Sequence, residues 1–128
     1  MRLSTATTGH LPPEVARPTY DRDAQAIGIV HFGIGAFTRA HQAWYTDLAM
    51  AAGERDWAIC GVSMRSRTVT DQLAPQDGLY TLTAGGRTQL IGAVSEVLHA
   101  REDAAAIIAR LADPACHIVS FTVTEKGY

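Results

Sequence analysis

Lysine is nearly missing from this chain. Of its eleven basic residues ten are arginines and one is Lys126, set against thirteen acids for a formal net charge of −2. The arginines are scattered, whereas a nucleic-acid-binding domain carries a basic excess on at least one stretch, so nucleic acid is not an expected partner. Cysteine is almost as scarce. Cys60 and Cys116 stand 56 positions apart in apolar runs and neither belongs to a C-x-x-C pair, which argues against a disulfide scaffold or a zinc ribbon and for two reduced, buried thiols. His31, His41, His99 and His117 have no i, i+4 partner on a helix, and no metal site is expected. No apolar run reaches the ~18 residues that a membrane-spanning helix needs. The amino terminus has Arg2 and then Ser4, Thr5, Thr7 and Thr8, without the apolar core of a secretory signal. The cytoplasm is the default compartment.

What the chain does have is the composition of one globular domain: 128 residues, 47% apolar and 19% charged. Residues 1–26 are polar and broken by Pro12, Pro13 and Pro18, which predicts an extended lead-in segment draped over the domain rather than part of its core. Order begins with Ile27-Gly28-Ile29-Val30-His31-Phe32, an apolar run suited to a strand covered on both faces. Gly33-Ile34-Gly35 follows, and then a helical stripe of Phe37, Ala40, Trp44, Leu48 and Ala51 ending near Gly53. Trp57-Ala58-Ile59-Cys60-Gly61-Val62 reads as a second buried strand, completing a βαβ unit. Two further runs, 79–83 and 89–94, flank Gly85-Gly86 and predict a β-hairpin. A helix from about Asp103, with Ala104, Ile107, Ile108 and Leu111 on its buried face, stops at Asp113-Pro114. His117-Ile118-Val119-Ser120-Phe121-Thr122-Val123 predicts a last buried strand.

The chemistry-bearing segment is Gly33-Ile34-Gly35-Ala36-Phe37-Thr38 between a strand and a helix. One glycine permits the tight turn, the other lets backbone N–H groups approach a pyrophosphate, and the helix start adds its positive dipole end. Thr38 stands where a third glycine would complete the dinucleotide fingerprint. The plain alternative is a glycine turn required only for helix–strand packing. Arg39, in the first helical turn, opposes the helix dipole unless an anion shares the site; otherwise it is a solvated arginine. At the end of the second strand an acid would bind a ribose 2′-hydroxyl. Here the sequence is Val62-Ser63-Met64-Arg65-Ser66-Arg67, with no acid between Asp56 and Asp71. Its arginines fit a 2′-phosphate, or are surface charges beside an NAD held by other contacts; the choice between NAD and NADP stays open. His41 shares a helix with the glycine turn and is expected to be a packed histidine, contact with the cofactor or a partner domain being the other reading. Asp77 is expected to serve a turn before the hairpin. Glu125-Lys126 fits a ligand site at a strand's carboxyl end as well as it fits a solvated loop.

Taken together these residues resemble a known family. Leu11-Pro12-Pro13-Glu14-Val15, Pro18-Thr19-Tyr20-Asp21-Arg22, the run from Ile29 to Ala43, Gln76-Asp77-Gly78-Leu79-Tyr80-Thr81-Leu82 and Thr122-Val123-Thr124-Glu125-Lys126-Gly127-Tyr128 are similar to the N-terminal domain of the mannitol dehydrogenase family. The resemblance implies a metal-independent, nicotinamide-dependent enzyme acting on a polyol such as mannitol or arabinitol, or on fructuronate. It also implies a Rossmann domain followed by a mostly helical substrate domain. The family's cofactor segment maps onto Gly33, Ile34, Gly35, Ala36, Phe37, Thr38 and Arg39, with Arg65 next; many members carry His where this chain has Thr38. Gly61-Val62-Ser63-Met64-Arg65-Ser66 looks more like the fructuronate reductase branch. The family's catalytic Lys, Asn and His sit on a helix of the C-terminal domain, and Lys126 is not that lysine.

The expectation is therefore an α/β, Rossmann-type parallel sheet with a β-hairpin insertion. Residues 27–128 would be part of the dinucleotide-binding domain and the front of a two-domain protein. The cofactor is NAD, with NADP possible, and the substrate a small sugar, polyol or uronate. The missing C-terminal domain would complete the site, so this piece alone should be inactive. Two other classes are a non-catalytic NAD(H)-sensing interaction module and an α/β domain with no ligand.

Overall fold

The computed structural model describes residues 1–123. Along the chain, β1 (Ile27–Phe32) leads through the glycine turn into α1 (Ala36–Ala40) and α2 (Gln42–Ala51), then β2 (Ala58–Ser63) and α3 (Thr68–Leu73). The hairpin β3 (Tyr80–Ala84) and β4 (Arg87–Ile91) precedes β5 (Val94–His99), α4 (Ala104–Ala112) and β6 (Ile118–Phe121). Four strands form one parallel sheet in the order β5-β2-β1-β6, and β3-β4 is a separate antiparallel pair. The sheet grows outward from β1 through β2 to β5, then crosses back to place β6 on the other side of β1. That reversal is the topological switch point of a Rossmann fold, beside which ligands bind at the carboxyl ends of the strands.

The strands are continuous apolar runs because both faces of the sheet are covered. Ile29 and Ile59 point with Ala43, Met50, Ile91 and Val94 toward α2 and the hairpin. Their neighbours Val30, Cys60 and Val62 face the other way, with Ile107 of α4. The register shifts twice, in the β2–β5 pair between Ile59 and Cys60 and in the β1–β2 pair between Ile27 and Ile29. There a Cβ on Gly28 would stand 2.2 Å from the Asp56 carbonyl oxygen.

Several expectations change. The helical stripe after the glycine turn is broken at His41, and its inward residues are Thr38, Ala43, Asp47 and Met50. Phe37 and Leu48 are exposed. Apolar residues lie on both sides of these helices, so spacing alone cannot choose the face; the choice falls to Asp47, which reaches Tyr20 and the Gly92 amide. In α4 only Ile107 is buried, against Val30, Cys60 and Val62, while Ile108 and Leu111 face out. The last strand was expected to be buried, but Ile118, Val119 and Phe121 are exposed, and among the described residues β6 pairs with β1 alone. Finally, the run 89–94 is not one strand. It bends at Gly92-Ala93, so β4 ends at Ile91 and Val94 opens β5 of the parallel sheet.

The lead-in segment contributes to packing after all. Val15 is buried with Leu79 and Leu90, and Ala16 bridges to Gln89. Arg22 donates to the carbonyls of Gly92 at 2.9 Å and Val94 at 2.8 Å, and also to that of Asp77. The Tyr20 hydroxyl donates to Asp47 at 2.5 Å. No helix among the described residues is long and apolar enough to cross a membrane.

Candidate functional site

The glycine turn lies at the carboxyl end of β1, next to the switch point. Gly33 adopts φ +100°, a conformation that side chains rarely tolerate, and a Cβ there would stand 3.3 Å from Thr122 Cβ. The amides of Gly33 and Ile34 both donate to the Val62 carbonyl, at 2.8 and 3.3 Å, which fastens the turn to the end of β2. Ile34 turns inward and is only 2% exposed. Gly61 must be glycine beneath it, since a Cβ would come within 2.7 Å of the Ile34 side chain.

Gly35 is different. Its backbone, φ −90° and ψ −170°, is open to any residue, and nothing lies within 4 Å of where a Cβ would stand. It is the N-cap of α1 and supplies no capping side chain to the opening amides. A glycine without a packing reason, at an uncapped helix start, leaves backbone N–H groups accessible to a ligand. That arrangement fits the pyrophosphate of a dinucleotide. The helix behind it is only five residues long, so its dipole is small. With Gly33 and Ile34 N–H on the Val62 carbonyl and Gly35 N–H on the Gly33 carbonyl at 2.7 Å, the amides left to meet a ligand are those of Ala36 and Phe37.

A buried polar cluster forms the floor. His31 Nδ1 lies 2.7 Å from Ser120 Oγ, and Nε2 lies 2.8 Å from both Thr122 Oγ1 and Thr38 Oγ1. The two threonine hydroxyls are 2.8 Å apart, Thr38 also reaches the Gly33 carbonyl at 3.3 Å, and Gln42 donates to Ser120 at 3.2 Å. Burial holds the His31 pKa below its ordinary value, so the ring is neutral where it joins β1, β6 and α1. The Thr38 side chain, 1% exposed, is sealed into this cluster and cannot itself touch a ligand. The residue type that the resemblance flagged thus has a structural role. Ser120 and Thr122 went unnoticed in the sequence; two hydroxyl residues alternating in an apolar strand were the available signal.

The end of β2 forms the second part of the site. Ala100 N donates to the Ser63 carbonyl at 2.9 Å, and His99 Nε2 donates to the Arg65 carbonyl at 3.1 Å, pinning this loop to the end of β5. Arg67 is committed to Asp71 at 3.1 Å and to Glu102. Arg65 is exposed and its side chain has no partner among the described residues. The two arginines that looked equivalent in the sequence are therefore not.

Arg39 is half-buried, with Nε 3.3 Å from the Gly35 carbonyl and its own carbonyl accepting from the Tyr80 hydroxyl at 2.6 Å. His41 is not packed inside: it is exposed, stacked on the exposed Phe37 at 4.4 Å. Asp77 takes a left-handed conformation in the turn before the hairpin and accepts from Thr5, which lowers its pKa. Cys60 is buried and its thiol is pushed up to about 12 by burial, then by Glu96, while Cys116 is only partly buried. Glu125 and Lys126 lie outside the described residues. A cavity of about 610 Å³ opens at the opposite, amino end of the sheet, lined by Arg22, Glu96 and Arg110 among others. Its arginines are already engaged, Arg110 with Glu96 at 2.7 Å and Arg22 with backbone carbonyls. The cavity is remote from the glycine turn.

Residues 27–128 match the family model of the mannitol dehydrogenase Rossmann domain. The chain belongs to the mannitol dehydrogenase family. Among relatives of this family, mannitol 2-dehydrogenase of Pyricularia oryzae is 45% identical over 87% of this chain and 24% of its own length. Polyol:NADP oxidoreductase of Gluconobacter oxydans is 41% identical over 98% of the chain and 28% of its own length. The solved mannitol 2-dehydrogenase of Pseudomonas fluorescens, a ternary complex with NAD and D-mannitol, superposes with a TM-score of 0.91 at 46% identity, over 100% of this chain and 28% of that one. The chain thus spans about a quarter of the length of these mannitol dehydrogenase relatives.

Proposed function

We propose that this chain is the dinucleotide-binding part of a nicotinamide-dependent oxidoreductase that interconverts a secondary alcohol of a polyol with the carbonyl of a ketose or keto-uronate. The observation that carries the reading is Gly35: an unstrained, uncrowded glycine at an uncapped helix start, at the carboxyl end of β1 beside the switch point. The likeness to an enzyme solved with NAD and D-mannitol supports NAD as the cofactor, and a relative named for NADP supports the phosphorylated form within the same frame.

In this reading Gly33 bends the chain, Gly35 leaves room for the diphosphate to reach the amides of Ala36 and Phe37, and Arg39 adds positive charge behind it. Ile34 and Thr38 contribute through their burial, which fixes the turn against Gly61 and His31. When bound, the nicotinamide ring supplies the hydride acceptor or donor. The groups that polarise the carbonyl and move the proton would come from the C-terminal domain, as the family resemblance implies, so the 128-residue chain alone should turn over nothing. The resemblance of residues 61–66 to the fructuronate reductase branch supports fructuronate as the carbon substrate, while the mannitol 2-dehydrogenase relatives support mannitol.

The test is to express the full-length protein and follow NADH and NADPH absorbance with fructuronate and with fructose, and cofactor reduction with mannitol. Oxidation with either carbonyl substrate supports the reading and names the branch. Dinucleotide binding with no turnover would point to a sensing module. No binding and no turnover would reduce the glycine turn to a packing device.

A further inference from the structure

We propose that His31 and Thr38 are positioning residues for the dinucleotide. They belong to one directed chain of hydrogen bonds, running from Gln42 to the Gly33 carbonyl, that holds the glycine turn in its binding conformation. This rests on the dinucleotide-binding reading above and adds to it what sets the geometry of the turn. His31 and Thr38 are buried and act on the ligand only through the main chain.

The register of the sheet brings the parts together. β1 and β6 run parallel with His31 beside Ser120 and Phe32 beside Phe121. Side chains two apart on a strand share a face, so Ser120 and Thr122 both meet the imidazole, at Nδ1 and Nε2. Thr38 closes over them from α1, its hydroxyl 2.8 Å from both Nε2 and the Thr122 hydroxyl. The two ends of this network fix its direction. At one end Gln42 presents Nε2, which can only donate, 3.2 Å from Ser120. At the other end the Gly33 carbonyl, which can only accept, lies 3.3 Å from Thr38. One arrangement spends every proton between them and has each hydroxyl donate once and accept once. Gln42 donates to Ser120, and Ser120 to His31 Nδ1. His31 Nε2–H donates to Thr122, Thr122 to Thr38, and Thr38 to Gly33. The imidazole is then neutral with its proton on Nε2, in keeping with the burial that holds its pKa down. A buried network with every member satisfied is rigid, and removing one link leaves polar groups unpaired. The last link bears on the ligand. The Gly33 carbonyl also accepts from the Gly35 amide at 2.7 Å, so residues 35 and 38 are tied to one oxygen. Between them lie Ala36 and Phe37, whose amides are the ones left to meet a diphosphate.

The experiment titrates the full-length protein with NADH and with NADPH by nicotinamide fluorescence, well below the melting temperature of each variant. The proteins are wild type, Thr38→Val, Thr38→Ser and Thr70→Val. Thr70 is the control, a buried threonine of α3 whose hydroxyl has no partner among the described residues. Thr38→Val should weaken dinucleotide binding about three- to tenfold, the range of one lost neutral hydrogen bond. Thr38→Ser, which keeps the hydroxyl, should restore it, and Thr70→Val should leave it at the wild-type value. Should Thr38→Val fail to fold, Ser120→Ala, at the half-buried far end of the network, is held to the same criterion. A second readout needs no binding variant. Nitrogen-15 spectra of the histidine-labelled wild type, with the His31 signals assigned by their loss in His31→Asn, should show the proton on Nε2 and none on Nδ1. A proton on Nδ1 would overturn the direction of the chain and so the proposal. A folded Thr38→Val protein, less stable but with unchanged dinucleotide affinity, would overturn the positioning role and leave the dinucleotide site standing. Failure of wild type to bind either dinucleotide would overturn the site itself and this inference with it.

Discussion

Replacing Gly35 with alanine separates the fold from the site more cleanly than any other change in this chain. At φ −90° and ψ −170°, with nothing within 4 Å of the new Cβ, alanine fits the folded backbone without strain. Two small effects then oppose each other. Alanine restricts the unfolded chain, which stabilises by about 0.4–1 kcal/mol, and it is a poorer N-cap than glycine by roughly several tenths of a kcal/mol or more. The expected change in unfolding free energy is within about 0.5 kcal/mol of zero. The methyl group, however, stands on the open face through which a diphosphate would approach the amides. Losing one charge-assisted hydrogen bond costs about 1.5–3 kcal/mol, a weakening of roughly ten- to a hundredfold in Kd. The neighbouring glycines behave oppositely. Gly33→Ala, at φ +100°, and Gly61→Ala, within 2.7 Å of Ile34, should each destabilise by about 1–3 kcal/mol. Chemical denaturation and dinucleotide titration of the three full-length variants read both quantities. A Gly35→Ala protein of normal stability that binds dinucleotide as wild type does would refute the assignment of the turn.

Three further outcomes follow from the buried groups. Asp47 is pushed above the usual carboxylate range by burial, only partly offset by its bonds from Tyr20 and the Gly92 amide. Its ionised form therefore costs stability, and Asp47→Asn should gain on wild type in denaturation free energy as pH rises from acid to neutral; a constant difference across that range would contradict this. His31 is shifted the other way, below 6.5, by burial, so its contribution is complete above that pH and is lost as pH falls through the folded value. Denaturation midpoints measured as pH drops below 6.5 should fall more steeply for wild type than for His31→Asn. Ile107 is the single buried residue of α4, packed with Val30, Cys60 and Val62, and Ile107→Ala should cost about 2–4 kcal/mol by denaturant titration.

What could be seen in the sequence was what local chemistry dictates. Ile27–Phe32 had to be a strand because six residues of near-continuous apolar character followed by Gly-x-Gly leave little else, and the strand falls where it was expected. The hairpin was legible from Gly85-Gly86, which take φ +58° and +76°. The parts that escaped notice are set by contacts far apart in the chain. The bend that frees β5 occurs where Gly92 packs against Pro18 and Tyr20 and donates to Asp47, none of which local spacing can reveal. α3, Thr-Val-Thr-Asp-Gln-Leu, has few strong helix formers and is held by burial of Thr70 and Leu73. In the site, the glycine turn was readable because its chemistry is local. The His31 cluster was not, because Ser120 and Thr122 lie 89 and 91 residues away. Likewise Arg65 and Arg67 were indistinguishable until Glu102, 35 residues on, was found paired with the second.

The most direct test of the central claim is where a dinucleotide binds. Hydrogen–deuterium exchange of the full-length protein, with and without NADH or NADPH, should show slowed exchange in peptides covering Gly33 to Arg39 and the loop from Ser63 to Arg67. Protection confined instead to the amino end of the sheet, around Arg22, Glu96 and Arg110, or no protection at a dinucleotide concentration that saturates binding, would contradict it.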